Sequence, residues 1–280
     1  MLDIVQPTAP FVDAFASLLF KPKASAQRHD LPLKVASVEK TGLSVTWAKH
    51  LDEVREAQAL RYAVFSDEMG ARLKSTIAYP KHDIDLFDDY CEHLIVRDLA
   101  TEQVIGTYRL LTPVQAKRVG CFYTDTEFDL TRLRGLRGQM VELGRSCVHA
   151  DFRHGGVIMS LGGGLFDFMQ RNGFEIMFGC ASIPMDKGPE AVASVWRQVS
   201  QTHMAPIQDQ VMPRTPWPID RFDSTLSVEP PAMLKGYLRL GAKVLGEPAW
   251  DPDFNTADLP IMMRMSNLPA RYKKHFQLGA

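Results

Sequence analysis

Long apolar runs are missing from this sequence. None approaches the roughly 20 residues that span a bilayer, and no basic segment precedes an apolar signal core near the N-terminus. Those absences remove a transmembrane helix and a secretory leader from consideration. The expectation is a cytoplasmic protein, peripheral at the inner membrane face at most. A dominant charge is missing too: 32 Lys and Arg balance 33 Asp and Glu, and the formal net charge of -1 offers nucleic acid no basic face. Cysteine is sparse. Cys91, Cys121, Cys147 and Cys180 include no Cys-x-x-Cys pair and no His at ligand spacing, so neither a zinc site nor a disulfide framework is indicated. Reduced, mostly buried thiols are expected instead. Internal repeats and low-complexity tracts are also absent.

What is present is an ordinary globular composition, 45% hydrophobic and 23% charged, in 280 residues that suit one main core. We divide the chain into an N-terminal extension over 1–40 and a single domain over 41–280, elaborated from about 205 onward. In the extension, Phe11, Ala14, Phe15, Leu18, Leu19 and Phe20 fall at helical spacing ahead of Lys21, Lys23 and Arg28. Such a helix either packs on its own domain or rests on an anionic membrane surface.

Leu43, Val45 and Trp47 alternate with polar residues as a strand does, and the spacing of Leu51, Val54, Ala57, Leu60, Val64 and Phe65 predicts a helix over 51–69. Arg61 lies near its end. The acidic run from Asp83 to Asp89 has no clean period and is placed in an ordered loop. Residues 92–98 and 104–111 read as a β-hairpin carrying Arg109, and 140–148 as the central strand. Helices over 157–172, 190–201 and 232–240, with strands over 175–183, 242–245 and 259–265, complete the pattern. Strands and helices alternate with hairpins mixed in, which argues for an α/β fold: a mixed sheet with helices on both faces.

Chemistry concentrates between Val141 and Gly156. Glu142 stands in the middle of an apolar strand, where an unpaired charge is costly, so it needs a partner or a function. A partly buried Glu there, with its pKa raised toward neutrality, can take a proton from an amine directly or through a water; otherwise it pairs with an arginine. Glu142 and Arg145 are three apart and would face opposite sides of a regular strand, so an irregularity near Gly144 is expected to bring them to one face. The turn Arg153-His154-Gly155-Gly156 leads into a helix, a place where backbone N–H groups meet an anion, although glycine also serves such turns for steric reasons alone. Gly162, Gly163 and Gly164 inside that helix call for a close approach by a strand or a ligand. In the loop, Asp83, Asp85, Asp88 and Asp89 lack the Gly and terminal Glu of an EF-hand. Arg109, in a strand beside the central one, must pair with those acids or with a carboxylate substrate.

Four segments, Leu60-Arg61-Tyr62-Ala63-Val64-Phe65, Asp83-Ile84-Asp85-Leu86-Phe87-Asp88, Ile105-Gly106-Thr107-Tyr108-Arg109-Leu110 and Glu142-Leu143-Gly144-Arg145, follow one another in an order that resembles the acyl-homoserine-lactone synthases. The chain resembles still more the related ornithine lipid N-acyltransferases, of the GCN5-related N-acyltransferase (GNAT) fold. Glu142 to His149 with Arg153 is similar to their central block, and Leu234 to Ala242 with Asp251, Phe254 and Asp258 to their C-terminal block. The likeness covers roughly 43 to 265. Ala71 stands where the lactone synthases usually carry tryptophan, and those chains are shorter.

This resemblance implies a GNAT-like, mainly antiparallel mixed sheet. It also implies transfer of a 3-hydroxyacyl group from acyl carrier protein to the α-amino group of L-ornithine, giving lyso-ornithine lipid, with no permanently bound cofactor or metal. Glu142 would be the base, with Arg145 beside it, and Ser146 or backbone donors near Val148 would stabilise the oxyanion. Asp85, Asp88, Arg109, Arg61 and Phe65 would shape the acceptor site, an arginine holding the carboxylate of ornithine and the aspartates its δ-ammonium. Val148, Arg153, Gly155 and Gly156 would hold the phosphopantetheine arm. Val157 and Ile158 after Gly156 make a bulkier turn than in many acetyl-CoA-dependent relatives, which favours a carrier-protein donor over free CoA. Rival readings are a lactone synthase using S-adenosylmethionine, an acyltransferase for another amino acid such as glycine or glutamine, and a non-catalytic acyl-carrier or membrane-binding protein.

Overall fold

The computed structural model describes residues 42–275 except Lys74, His154 and Gly155. The expected helix of the 1–40 extension therefore lies outside the described residues, and so does Gly155. In chain order the strands are β1 (Leu43–Trp47), β2 (Glu92–Asp98), β3 (Val104–Leu111), β4 (Phe128–Asp129), β5 (Met140–Val148), β6 (Ile176–Pro184), β7 (Met212–Pro213), β8 (Lys243–Val244), β9 (Ala249–Asp251) and β10 (Thr256–Arg264). The main sheet runs β1-β2-β3-β5-β6-β10-β8, with β9 also on β10, while β4 and β7 form a separate ribbon. Every pairing in the main sheet is antiparallel except β5 with β6. The expected mixed, mainly antiparallel sheet is thus observed.

Helices cover both faces, because side chains of successive strand residues point to opposite sides. The helix α1 (Leu51–Tyr62), continued by a π-helical turn over Ala63–Glu68, packs Ala57, Leu60, Val64 and Phe65 against Ile95 and Cys147. Two short helices follow, α2 (Pro113–Val119) and α3 (Thr124–Glu127). On the other face lies α4 (Gly156–Asn172), whose Val157, Leu161, Leu165 and Met169 share a core with Leu94, Val96 and Val148. One of the three glycines inside α4 has a packing reason: a Cβ on Gly164 would come 2.9 Å from Leu94 Cδ2, so α4 sits closer to β2 than alanine would allow. The remaining α-helices among the described residues are α5 (Pro189–His203), α6 (Ala232–Arg239) and α7 (Ala270–His275). None of the helices is long and apolar enough to cross a membrane.

The central strand carries the irregularity expected at Gly144. Thr107 pairs with Cys147 and Arg109 with Gly144, so one extra residue is fitted into β5, and Arg145 adopts a left-handed φ of 52°. A second break separates β5 from β6. Their parallel pairing covers only Met140–Glu142 against Ile176–Phe178. Just beyond it, a Cβ on Gly179 would strike the Leu143 carbonyl oxygen, so glycine is what lets the two strands stay this close as they part.

Candidate active site

The β5 bulge and the β5–β6 parting lie side by side, and three arginines converge on the acidic loop next to them. Arg61, with no side-chain exposure, sends Nε to Asp83 Oδ2 at 2.7 Å, Nη2 to the Asp83 carbonyl at 2.7 Å, and a fork to Asp88 at 2.8 and 3.0 Å. Arg109 Nη1 donates to Asp85 Oδ1 at 2.6 Å and to Asp88 Oδ1 at 3.0 Å. Arg145 reaches Asp83 Oδ2 and Asp85 Oδ2, each at 3.2 Å, with its guanidinium over the rings of Tyr123 and Phe254. Burial alone would raise the pKa of Asp88 and Asp85, but the arginines win: Arg61 and Arg109 hold Asp88 far below the usual carboxylate range, and Arg109 with Arg145 lowers Asp85. The loop is therefore ordered by charge, as an arginine-paired framework.

Several of the residues expected at the acceptor site are engaged with one another. Asp88, whose side chain is 1% exposed, and Arg61 lie beneath the site, where they hold its floor. Phe65 packs edge-on to Phe254 at 5.6 Å between ring centres. Asp85 and Arg109 are committed to each other and to their neighbours. Asp83, Asp85 and Asp88 are thus each paired with arginine.

Glu142, 5% exposed, points under α3. Its Oε2 accepts from the Tyr123 N–H at 2.6 Å, and its Oε1 from the Thr124 N–H at 2.6 Å and the Thr124 hydroxyl at 2.5 Å. Burial pushes its pKa up, opposed by the Thr124 and Tyr123 bonds and by Arg109, and the net effect stays upward. A carboxylate has about four acceptor positions, and three are taken, so Glu142 both anchors α3 and keeps one position for a further proton.

Toward the end of β5, His149 N donates to the Ile105 carbonyl at 2.8 Å. Hydrogen bonding alternates along an antiparallel ladder, so the adjacent Gly106–Val148 pair is the unbonded one, and Val148 turns its N–H and C=O away from β3, toward the parting. The carbonyl accepts Arg153 Nε at 3.1 Å, and Arg153 also forks onto Glu68 at 2.5 and 2.7 Å. Gly156 opens α4 next to it. Ser146 is two residues from Val148 and shares its face, the α4 side, opposite Cys147. Its buried hydroxyl makes no hydrogen bond of normal geometry and has the Tyr108 hydroxyl as its polar neighbour. Bulge geometry thus brings Glu142 and Arg145 to one side and leaves Ser146 on the other.

One group escaped sequence reasoning. Glu127 at the end of α3, Cys180 on β6 and Asp258 on β10 bring an oxygen, a sulfur and an oxygen within 4.8 Å of one another. Burial, then Asp258 and Asp251, raise Glu127 to about 8, and burial and Asp251 raise Asp258 to about 6. Asp251 and Asp258 belong to the quoted C-terminal block. Glu127 had no signal beyond being an acid beside the apolar Phe128.

Residues 60–162 match the family described as the Acetyltransferase (GNAT) domain. In fold, the chain resembles a CoA-dependent acyl-homoserine lactone synthase, BjaI, solved with S-adenosylmethionine and isopentyl-CoA: the TM-score is 0.51 at 14% identity over 85% of this chain and 92% of that one. The domain match and the curated relatives make this an acyltransferase enzyme with a GNAT-like fold. Two curated relatives narrow the class. The L-ornithine N(alpha)-acyltransferase of Brucella abortus is 31% identical over 84% of this chain and 88% of its own length, and that of Rhodobacter capsulatus 33% over 82% and 92%. The chain belongs to the L-ornithine N(alpha)-acyltransferase family.

Proposed function

We propose that this enzyme transfers a 3-hydroxyacyl group from acyl carrier protein to the α-amino group of L-ornithine, giving lyso-ornithine lipid. The observation that carries the reading is the placement of Glu142 and Arg145 on one face of a bulged strand, beside the parting of β5 and β6. The names of the full-length relatives support ornithine as the acceptor.

In this reading Arg145 faces the α-carboxylate of the amino acid, while Asp83 and Asp85 hold its guanidinium in place. Glu142 takes a proton from the α-ammonium, directly or through a water, and the freed amine attacks the thioester carbonyl. The N–H of Val148, turned toward the parting, donates to the oxyanion of the tetrahedral intermediate. As that intermediate collapses, the C–N bond remains, the C–S bond breaks, and the departing thiolate of the phosphopantetheine arm takes up the proton that the newly acylated nitrogen gives up. Arg153 and Gly156 border the path of the arm. Since the product is a single-chain amphiphile, contact with the inner membrane face goes with the same proposal.

Purified protein is incubated with 3-hydroxyacyl carrier protein, or the corresponding acyl-CoA, and with L-ornithine, S-adenosylmethionine, glycine or glutamine in parallel, and the products are identified by mass. Acyl-ornithine is expected, formed faster from the carrier protein. A lactone or another acylamide overturns the acceptor, and no product with any amine overturns the catalytic reading.

A further inference from the structure

The 83–88 loop is electrically closed: Asp83, Asp85 and Asp88 are matched by Arg61, Arg109 and Arg145. Elsewhere beside Tyr123 the balance is reversed. Glu127, Asp258 and Asp251 gather with Cys180, and among the described residues none of these carboxylates forms an ion pair with Lys, Arg or His. Asp251 is already occupied, its Oδ1 accepting from the N–H groups of Asp253 and Phe254 at 2.8 and 3.1 Å. Asp258, 4% exposed, accepts from the Thr256 hydroxyl at 2.7 Å. Glu127 differs from both. Its two carboxylate oxygens are sealed from solvent and make no hydrogen bond of normal geometry, with only the Cys180 thiol and the Tyr123 hydroxyl beside them as weak neutral donors. A buried acceptor left in that condition is costly, and a cation that donates hydrogen bonds relieves it.

The cluster adjoins the proposed base. The Thr124 hydroxyl that donates to Glu142 at 2.5 Å lies 3.7 Å from Cys180 Sγ, and Cys180 is within the Glu127–Asp258 group. An amino acid with its α-amine at Glu142 and its carboxylate at Arg145 would extend its side chain past Thr124 toward Glu127. We propose that Glu127 and Asp258 form the subsite for a primary ammonium at the end of the acceptor's side chain, and so select a cationic amino acid over a neutral one of the same length. This rests on the acyl-transfer reading given above. A divalent metal fits the same residues less well. Cys180 is half-buried and desolvation drives its pKa far up, so a metal there would have to displace the thiol proton, which an ammonium leaves in place. A mixed set of two carboxylates and a thiol also matches neither the hard nor the soft cations closely.

The test compares L-ornithine with L-norvaline, which has the same carbon skeleton without the terminal amine. For each, kcat/KM of acylation and the binding constant by calorimetry are measured in the wild type, Glu127→Gln and Asp258→Asn. The wild type is expected to prefer ornithine by about a hundredfold or more. Either variant should lower kcat/KM for ornithine at least tenfold, chiefly through KM, while norvaline acylation is retained or rises, so the preference collapses. Retained norvaline turnover and an unchanged or raised Tm show that each variant is folded. An unaltered ornithine-to-norvaline ratio in both variants overturns the subsite but leaves the acyl-transfer reading standing. Acylation of neither amino acid by the wild type overturns that reading instead, and the calorimetric ratio then still decides the subsite. Stoichiometric metal in the wild type, lost in Glu127→Gln together with activity, replaces the ammonium subsite by a metal site.

Discussion

Arg61→Met is expected to cost about 3–5 kcal/mol of folding stability, because it removes the cation shared by Asp83 and Asp88 and leaves each of these buried carboxylates with one remaining arginine, Arg145 and Arg109. The structure sets the size of the effect. Arg61 makes two bonds to Asp83 and a fork to Asp88 with no solvent to replace them, and Asp88 keeps only the Arg109 contact and its own loop N–H partner, Asp85 N. Against a typical domain stability of about 5–15 kcal/mol, that loss lowers the urea midpoint substantially without abolishing folding. Arg61→Lys separates charge from geometry. It keeps the positive charge but replaces a planar fork with a point donor, so a loss of about 1.5–3 kcal/mol is expected, between wild type and Met. Acid should expose the same network. The folded pKa of Asp88 lies below its unfolded value, so its contribution is present above about pH 4 and is lost as pH falls toward the folded value; the wild type should weaken over that window more steeply than Arg61→Met. Equilibrium urea unfolding followed by tryptophan fluorescence, at neutral pH and at pH 3, measures all of this. A cost below 1 kcal/mol for Arg61→Met at neutral pH would refute the claim that this buried network organises the loop.

Three further outcomes are expected. Glu142→Gln should reduce acylation by about 10²–10⁴-fold with the fold intact, and the acidic limb of the pH–rate profile, with an apparent pKa above the ordinary carboxylate range because burial raises Glu142, should disappear with it; a binding module would instead keep its affinity for acyl carrier protein unchanged. Gly179→Ala should destabilise the enzyme by about 1–3 kcal/mol and lower its affinity for the acyl donor, since a Cβ there meets the Leu143 carbonyl oxygen and forces β5 and β6 apart where the parting begins; thermal unfolding and donor KM check both. His93, whose Nε2 donates to the Asp88 carbonyl at 3.0 Å, is held neutral by burial with a folded pKa of about 4. Its depressed pKa makes it a contributor whose stability is full above the unfolded value near 6.5 and lost as pH falls from there to about 4, so His93→Gln should flatten the decline in urea-midpoint stability across that interval.

Much of the fold was legible because it rests on local patterns. Alternation in 43–47 and the 92–111 hairpin, the period of 51–69 and 157–172, and the acid–glycine–arginine spacing of 142–145 each report a local constraint, and the bulge followed from asking how Glu142 and Arg145 could share a face. Pairing of the charges was less legible, since nothing in a run of aspartates says how many arginines will fold onto it. Arg61 comes from a helix, Arg109 from a strand interior and Arg145 from a bulge, and only the assembled sheet sets them against one short loop.

That difference decides where an acceptor's positive charge can go. Read from sequence, the 83–88 aspartates are the natural anionic surface, and a cationic substrate is drawn there. Once folded, their charge is spent internally, and among the described residues Glu127 on α3 and Asp258 on β10, more than a hundred residues apart in sequence, come together without an ion pair. A fold of this kind does not by itself choose between acceptors. If selection resides in the orphaned carboxylate and not in the neutralised loop, changes to the loop should damage stability and the orientation of Arg145 for every acceptor alike. Changes at Glu127 or Asp258 should alter which acceptor is preferred and leave the framework intact. Acceptor preference and stability are then governed by separate residues of one site, and a double-mutant comparison of Glu127→Gln with Asp85→Asn should show nearly additive effects on the two readouts.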